Sequence, residues 1–575
     1  MKRYWKYIRP YIQYYILGPC FMMMEVVGDV LLPYMLAKII NQGIAERNVV
    51  YIIKIGVIMG FIAVIMAVGG VLGAWFASKA AMNFGADLRM DLFEKIQQFS
   101  FQNIDNFSTG SLITRLTNDI TQIQNMIMMT LRMCLRSPGI LIGAMVMAFV
   151  ISPKLAAIFI IVLPVLAVLI VVIMRRAFPQ FRTLQEKLDA LNSCIQEGLV
   201  GIRLIKSFVR GDYEEMRFEK RNQQLKEANL TAMKTMLLYT PLMTLALNIT
   251  TVVVVWAGGN MIVAGNMQVG DLTAFTNYIV QIMSSLTMLS IAFLNWARAI
   301  ASFRRVGEVL DEKIDLTDEN AKHKDRAVCE GSVEFQNVSF RYYKNSPEWV
   351  IENISFKLEA GKTLGIIVST GSGKSTLVSM IPRLYDTDEG TVLVDGINVR
   401  DYGLKPLREG IGMVLQNNTL FSGSIIENLK WGDEHADEKA VRKAAQNAQA
   451  AGFIDSFKDG YRTRLEQSGN NVSGGQKQRL CIARALLKCP KILILDDSTS
   501  AVDTATERAI REALHSEYKD MTKIIIAQRI RSVMDADEIL VLDNGKTAGF
   551  GTHEQLLADC PVYREIYDVQ NGREE

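Results

Sequence analysis

The stretch GIIVSTGSGKSTL carries residues that could bind a phosphorylated ligand, because an apolar segment leads into a glycine-rich loop and a helix start. In the pattern G-x-x-x-x-G-K-[ST], the backbone N–H groups of the loop and the helix N-terminus cradle phosphates. Lys374 would reach the β- and γ-phosphates, and the hydroxyl of Ser375 would bind Mg²⁺. Val368 replaces the first glycine of the pattern, and a β-branched residue does not adopt a positive φ cheaply. The rest of the motif still predicts phosphate binding.

The second chemical motif is ILILDDSTSAVD, which ends at Asp503. An apolar run followed by Asp predicts a buried strand that presents a carboxylate at its carboxyl end. Asp496 would hold the Mg²⁺ shell, as the equivalent aspartate does in P-loop nucleotide hydrolases. Asp497 stands next to it. It could be a catalytic base or a residue with a weaker role in the reaction.

A third motif, NVSGGQKQRL, lies between these two. Ser-Gly-Gly followed by a helix is an anion-binding helix start. A plain glycine turn has the same composition, and taken alone it would be a reasonable alternative. The order of the three motifs makes that alternative remote.

These motifs require a soluble α/β domain, and only the second half of the 575 residues has such a composition. Before about residue 300 the chain carries long apolar stretches. The net charge of +3 gives no indication of nucleic-acid binding. The seven cysteines are scattered singly, without a CxxC or Cys/His cluster, which argues against zinc and redox chemistry.

The first half predicts a membrane domain, because a span needs roughly 20 mostly apolar residues. The candidate spans are 15–40, 52–78, 127–151, 154–175, 236–264 and 272–294. The basic N-terminus and the charged stretches LRMDLFEK and MRRAFPQFRTLQEK place the long connections in the cytoplasm by the positive-inside rule. Six buried helices of a soluble protein are a weak alternative, because two of the spans are nearly free of charge.

Two carboxylates, Glu25 and Asp29, fall inside the first span and share one helical face. Intramembrane carboxylates are costly and face a water-filled cavity or partner helices. They could contact a cationic substrate, couple to protons, or form a structural bond to another helix. We favour the structural interpretation.

Together the motifs resemble those of an ABC exporter half-transporter, six spans followed by one nucleotide-binding domain, over essentially the whole chain. Tyr342 in VSFRYY resembles the aromatic residue that stacks on adenine, and Gln416 resembles the Q-loop glutamine that touches the metal and the attacking water. VSGGQ resembles the signature motif, and SAVD resembles the D-loop. The nucleotide-contacting residues that this resemblance implies are Tyr342, Ser369, Thr370, Gly371, Ser372, Gly373, Lys374, Ser375, Thr376, Ser473, Gly474, Gly475, Gln476 and Asp503. The implied metal-contacting residues are Ser375, Gln416 and Asp496.

The resemblance implies a multi-domain membrane protein with ATP and Mg²⁺ as cofactors. An all-α, six-helix transmembrane domain would cover 1–315, a linker 316–332, and an α/β P-loop nucleotide-binding domain of the ABC type 333–575. The stretches NFSTGSLITRLTND and EGLVGIRLIKSFVRGDYEEMRFEKRN resemble cytoplasmic loops whose coupling helices dock on nucleotide-binding domains. The chain would lie in the cytoplasmic membrane with its nucleotide-binding domain in the cytoplasm.

The resemblance implies that Asp497, Gln528 and Gln416 act in ATP hydrolysis. The sequence departs from the family in this part of the site. Asp497 stands where an efficient site has Glu, Gln528 where it has the switch histidine, and Gln467 where Glu is common. Aspartate is one methylene shorter than glutamate, and a misplacement near 1 Å can cost on the order of 100-fold in rate. Glutamine donates a hydrogen bond but carries neither positive charge nor a transferable proton. We therefore expect this site to bind ATP and turn it over slowly.

The intact SGGQ sequence suits one half of a heterodimeric exporter with asymmetric sites. The different partner half-transporter would have the consensus Glu and His, and this chain would supply Ser473, Gly474 and Gly475 to the partner's competent site. The expected substrates are small hydrophobic or amphipathic molecules, drugs or lipids, and no nucleic acid is expected. The alternatives are an ATP-gated regulatory membrane protein, a slow homodimeric exporter and a soluble-type ABC ATPase.

Overall fold

The computed structural model describes residues 2–343, 346–368, 373–498 and 502–571. The chain divides into two compact units. The first unit comprises Met1–Gln97 and Gly110–Asp311, and the second comprises Gln98–Thr109 and Glu312–Glu575. The domain boundaries at residues 315 and 332 stay a prediction.

The first unit is built from helices, several of which are far longer than a membrane is thick. In chain order the helices up to Asp311 are α1 Trp5–Ile8, α2 Ile12–Lys38, α3 Val49–Gln97, α4 Phe101–Asp105 (which belongs to the second unit), α5 Thr109–Thr114, α6 Ile120–Met133, α7 Arg136–Ile151, α8 Pro153–Val200, α9 Ile202–Ser207, α10 Gly211–Leu237, α11 Tyr239–Val263 and α12 Val269–Asp311.

Within the described residues, five helical segments are long and apolar enough to cross a membrane. They are Trp5–Ile44, Val49–Gln97, Thr109–Ile151, Pro153–Val200 and Gly211–Val263. The sixth predicted span, 272–294, lies in α12, some of whose side chains are outside the described residues. The segments continue well beyond the apolar stretches, because the charged connections between the spans extend the same helices.

Side chains from α2, α7, α8, α11 and α12 form the apolar core of the first unit. Phe159 stacks on Phe275 with ring centroids 5.5 Å apart. The fully buried Tyr278 donates its hydroxyl hydrogen to the carbonyl oxygen of Val30 at 2.7 Å. Many Val and Ile side chains on the outer faces are exposed instead, as expected of helices that face lipid.

The second unit is an α/β domain. Its strands are β1 Val333–Phe340, β2 Ile351–Leu358, β3 Thr363–Val368, β4 Glu389–Val394, β5 Ile397–Asn398, β6 Ile411–Val414, β7 Gly423–Ser424, β8 Arg464–Leu465, β9 Ile492–Asp496, β10 Thr522–Ala527, β11 Glu538–Asp543 and β12 Lys546–Gly551. Its helices after α12 are α13 Lys374–Ser379, α14 Leu404–Glu409, α15 Ile425–Leu429, α16 Glu438–Asn447, α17 Ala451–Ser456, α18 Gly474–Leu487, α19 Thr504–Glu517, α20 His553–Asp559 and α21 Pro561–Asn571.

A six-stranded sheet in the order β12-β11-β3-β10-β9-β6 forms the centre of this unit. Strand β12 pairs antiparallel with β11, and the remaining pairs are parallel. Strands β3, β9 and β10 are almost continuously apolar, as expected of parallel strands that are covered on both faces. An antiparallel sheet in the order β2-β1-β4-β5 accompanies it.

The short helix α4 packs within the second unit although its neighbours in sequence belong to the first. Ser100 caps the helix by accepting a hydrogen bond from the backbone N–H of Asn103. Asn103 Nδ2 donates to the carbonyl oxygen of Lys313 at 2.9 Å. Tyr385 donates its hydroxyl hydrogen to Asp105 at 2.8 Å. The loop that contains α4 is therefore tied to the α/β unit by specific polar contacts.

Candidate nucleotide site

The register of the parallel strands brings the chemical motifs to one edge of the six-stranded sheet. Ile526 of β10 is opposite Asp496 of β9, and Ile367 of β3 is opposite Ala527. On the other side of β9, Leu495 is opposite Val414 of β6. The glycine-rich loop, the two aspartates, Gln528 and Gln416 all follow the carboxyl ends of these strands. Such an edge is where parallel α/β sheets bind their ligands.

Only the end of the glycine-rich loop can be described. Ser369, Thr370, Gly371 and Ser372 lie outside the described residues. Gly373 precedes α13 with φ +78°, and a Cβ atom there would come within 2.7 Å of the carbonyl oxygen of Val350. The position therefore requires glycine. Val368 ends β3 as an ordinary paired strand residue, opposite Leu542, so valine suits its extended backbone.

Asp496 is 1% exposed, and its carboxylate is hydrogen-bonded to Ser375. Burial raises the pKa of Asp496, while the hydrogen bond from Ser375 and the charge of Lys374 oppose this rise. The Oδ1 atom is buried with no hydrogen-bond partner among the described residues. A hydroxyl beside an unsatisfied carboxylate oxygen is a donor set that Mg²⁺ accepts. The pair therefore fits a magnesium ion, which would neutralise phosphate charge when bound with ATP.

Asp497 has a different environment from its neighbour. Its backbone adopts φ +49°, and its N–H donates to the carbonyl oxygen of Ile526 at 3.0 Å. Its Oδ2 atom lies 3.5 Å from Nζ of Lys374 and accepts a hydrogen bond from Nε2 of Gln528. Two of the positions that depart from the family pattern, Asp497 and Gln528, are therefore in direct contact, and Asp497 also lies beside the P-loop lysine.

Tyr342 lies beside the first turn of α13. Its hydroxyl is hydrogen-bonded to Oγ1 of Thr376 at 2.7 Å. Its ring packs edge-on against Phe340 and Tyr385, with centroids 5.2 and 5.4 Å away. The side chain remains 37% exposed. An aromatic face near the phosphate loop is available to a nucleotide base.

Gln416 is exposed in the loop after β6, two residues beyond the register pair that joins β6 to β9. Gln467 begins a short 3₁₀ turn in which Ser468 has φ +58°. The turn leads into the signature sequence. Neither glutamine side chain makes a hydrogen bond among the contacts described for this part of the chain.

The signature residues form the start of α18. Ser473 accepts a hydrogen bond from the backbone N–H of Gln476 at 3.3 Å, and Gln476 Oε1 accepts one from the N–H of Ser473 at 2.9 Å. This capping box fixes the first turn and leaves Gly474 and Gly475 at the positive end of the helix dipole. Among the described residues, no hydrogen bond or ion pair joins this turn to Lys374 or Ser375 of α13.

Asp503 of the D-loop motif serves as the N-cap of α19. It accepts hydrogen bonds from the backbone N–H of Thr506 at 3.0 Å and from the Thr506 hydroxyl at 2.7 Å. These bonds lower the pKa of Asp503. The aspartate is therefore held as an anion at the start of this helix, where the helix dipole also favours negative charge.

In the membrane unit, the structure identifies a residue that sequence reasoning missed. Arg136, the first residue of α7, places Nη2 2.9 Å from Glu25 and 3.4 Å from Asp29. Gln281 of α12 also donates to the backbone carbonyl of Asp29 at 2.8 Å. The structure thus supplies both carboxylates with a cationic partner on another helix. An arginine inside the apolar stretch LRMCLRSPGILIG was the available signal.

Comparisons with known proteins agree with this arrangement. Residues 15–286 match the family described as ABC transporter transmembrane region, and residues 351–500 match the family described as ABC transporter. The chain is 39% identical over 574 residues to the uncharacterized ABC transporter ATP-binding protein YfiB of Bacillus subtilis (strain 168), covering 100% of this chain and 99% of that protein. It is 36% identical over 570 residues to the uncharacterized ABC transporter ATP-binding protein MT1311 of Mycobacterium tuberculosis (strain CDC 1551 / Oshkosh), covering 98% and 97%.

The fold is similar to that of a bacterial Atm1-family ABC exporter solved with ATP bound. The TM-score is 0.81 at 24% identity, and the match covers 98% of both chains. The chain belongs to the ABC transporter family, and it carries the transmembrane region and the nucleotide-binding domain of that family on one polypeptide. It is a multi-pass membrane protein whose nucleotide-binding domain lies in the cytoplasm. The predicted fold class is confirmed.

Proposed function

We propose that this chain is the degenerate-site half of a heterodimeric ABC exporter. Its own P-loop would hold ATP longer than it cleaves it. Its signature turn, from Ser473 to Gly475, would complete the competent site of a different partner chain. The contact between Asp497 and Gln528 is the observation that carries the proposal, because it joins the departures at the expected base and switch positions in one altered cluster.

A general base must come within hydrogen-bond reach, roughly 2.6–3.2 Å, of the water that it activates. Asp497 has a short side chain, and its Oδ2 atom already interacts with Gln528 and Lys374. Gln528 uses its amide hydrogen in this contact and cannot supply the positive charge of a histidine. These features favour ATP binding without rapid hydrolysis at this site.

The signature turn supports the complementary part of the proposal. The capping box of Ser473 and Gln476 presents backbone N–H groups at a helix start, which is the geometry that binds phosphate. Because no described bond joins this turn to α13 of the same chain, the turn suits a nucleotide held by another chain.

The second cytoplasmic loop also favours a two-chain assembly. Helix α9 has no buried residues, and the apolar side chains around it are exposed, including Val200, Leu204, Phe208 and Val209. Contiguous exposed apolar residues mark interaction sites in soluble regions. A partner chain that covers this loop would remove these apolar side chains from water.

We infer that the exported substrates are small hydrophobic or amphipathic molecules. YgaD of Bacillus subtilis (strain 168), named as a candidate multidrug export ATP-binding/permease protein, is 33% identical over 584 residues, covering 99% of this chain and 99% of that protein. The ion pairs from Arg136 to Glu25 and Asp29 favour a structural role for these carboxylates, so an obligatory cationic group on the substrate is not required.

The test is to reconstitute the chain in lipid nanodiscs alone and together with a half-transporter that has Glu and His at the two altered positions. We expect slow ATP hydrolysis by the lone chain and rapid, substrate-stimulated hydrolysis by the pair. Rapid hydrolysis by the lone chain as a homodimer would contradict the proposal. A pair that hydrolyses ATP without moving substrate in sealed vesicles would favour the regulatory alternative.

A further inference from the structure

A pocket of about 800 Å³ lies in the second unit, between α19 and the segment 531–536, with β10 as its floor. This volume is within the range of roughly 300–1,000 Å³ that is typical of small-molecule sites. Its apolar lining includes Ile525 at the centre of β10 and Val533 opposite α19. The side chains described as lining it do not include Tyr342, Lys374 or Asp496, so the pocket is separate from the nucleotide site.

Lys523 makes this pocket unusual. It lies in the strand TKIIIA before a run of three isoleucines, lines the pocket, and is only 5% exposed. Its Nζ donates one hydrogen bond, to the carbonyl oxygen of Met521 at 2.9 Å. No ion-pair partner is within 4.0 Å of it among the described residues. An ammonium group has three donors, so its hydrogen-bonding capacity is not met within this part of the chain.

The electrostatics of Lys523 agree with its geometry. Burial lowers its pKa, and the more distant charges of Asp537 and Asp520 only partly oppose that effect. A buried cation without an ion-pair partner is costly. An anion in the pocket would reduce this cost by supplying both charge and hydrogen-bond acceptors.

A second cation faces the same space. Arg511 of α19 donates from Nη1 to the carbonyl oxygen of Arg531 at 2.7 Å and lies 3.5 Å from Asp535. Its Nε atom is buried without a hydrogen-bond partner among the described residues. The lining contains four cationic side chains and two carboxylates, a surplus of two positive charges. Arg508 pairs with Glu512 at 2.9 Å and Arg511 lies 3.5 Å from Asp535, so the surplus of positive charge includes Lys523, which has no ion-pair partner in this part of the chain.

We propose that this pocket binds an amphipathic anion. A carboxylate or phosphate head would accept hydrogen bonds from Lys523 and Arg511, and an apolar body would cover Ile525 and Val533. The site would be a second ligand site on the nucleotide-binding domain, distinct from both the P-loop and the membrane path.

The test uses the full chain in lipid nanodiscs with its P-loop saturated by Mg²⁺ and a non-hydrolysable ATP analogue. Phenyl phosphate and phenylacetate are the two anionic probes, and benzyl alcohol is the neutral control. Ligand-detected NMR titrations give the affinities. We expect saturable binding of at least one anion, weakened tenfold or more by Lys523→Met and by Arg511→Gln. The exposed control Lys458→Met should leave binding unchanged.

Thermal unfolding separates a lost site from a lost fold. Lys523→Met removes a buried cation, so its unliganded midpoint should equal or exceed that of the wild type. The anion should stabilise the wild type and Lys458→Met but not Lys523→Met. If Lys523→Met fails to fold, Arg511→Gln carries the same test. Phosphate-only or carboxylate-only binding supports the proposal and identifies the head group. The proposal is overturned by no saturable anion binding, by equal affinity in Lys523→Met and Lys458→Met, or by benzyl alcohol binding as tightly as the anions.

Discussion

Two helix starts in the same α/β unit were expected to contact ATP, and they differ in how complete they are. At α13, Lys374 reaches toward Asp497, whose own partner is Gln528, so the catalytic positions are altered together. At α18, Ser473 and Gln476 cap each other in a complete capping box. The start of α13 has the features of a site that binds ATP without rapid hydrolysis. The start of α18 has the features of a turn that donates backbone hydrogen bonds to the phosphates of a competent site.

The difference has a physical basis in what each site requires. Hydrolysis at α13 depends on the reach and charge of two side chains, and a change of one methylene alters that reach. Phosphate recognition at α18 depends on backbone N–H groups and a helix dipole, which the capping box holds in place. A single chain can therefore lose hydrolysis at α13 and keep phosphate recognition at α18.

The largest expected effect comes from removing the signature serine. In a complex with a competent partner, Ser473→Ala should lower the ATPase rate by about 100-fold, the scale on which losing one preorganised donor acts. Steady-state ATPase assays of the reconstituted pair measure it. An unchanged rate would remove α18 from the competent site.

A matched variant separates this loss from a stability effect. Thr552 caps α20 through the same kind of capping box, with Gln555. Losing either cap should cost about 1 kcal/mol of stability. Thr552→Ala should therefore lower the unfolding midpoint about as much as Ser473→Ala, while the ATPase rate stays near that of the wild type.

Restoring the family's residues at the altered positions should raise hydrolysis at this chain's own P-loop site. The double variant Asp497→Glu, Gln528→His should raise ATP hydrolysis by the lone chain at least tenfold, since a positioned general base contributes roughly 10²–10⁴-fold. Because the two side chains touch, the double gain should exceed the product of the single gains. A double variant as slow as the wild type would place the defect elsewhere.

The two adjacent aspartates should also separate experimentally. Asp496→Asn should weaken Mg²⁺-dependent ATP binding by about tenfold, because it removes a carboxylate that fits the metal. Asp497→Asn should leave that dependence nearly intact. Calorimetric titrations of Mg²⁺ and ATP into the lone chain compare the variants.

The raised pKa of Asp496 adds a pH dependence to this comparison. Metal binding requires the deprotonated carboxylate, so protons compete with Mg²⁺ as the pH falls. The gain in ATP affinity that Mg²⁺ provides should therefore begin to disappear at a higher pH than it would with an aspartate of ordinary pKa. Asp496→Asn should lack this transition.

Sequence alone predicted the parts that depend on local order. The strand-loop-helix pattern located Lys374, and the apolar run before Asp496 predicted a buried strand with a terminal carboxylate. The contact between Asp497 and Gln528 required knowing that β9 and β10 are neighbours in this register. Arg136 could not be paired with Glu25 from periodicity, because more than 100 residues separate them. Lys523 gave only a weak signal, a single charge in an apolar strand.

The smallest expected effect is the most discriminating one. In the two-chain complex, Asp497→Ala should change the ATPase rate less than twofold, because the proposal places the competent base on the other chain. The substitution also releases Lys374 from a carboxylate 3.5 Å away, so ATP should bind this site as tightly as before or more tightly. Parallel ATPase and nucleotide-binding measurements distinguish the two effects. A large loss of hydrolysis with intact nucleotide binding would show that Asp497 is a catalytic base. This chain's own P-loop site would then hydrolyse ATP, as the site completed by its signature turn does.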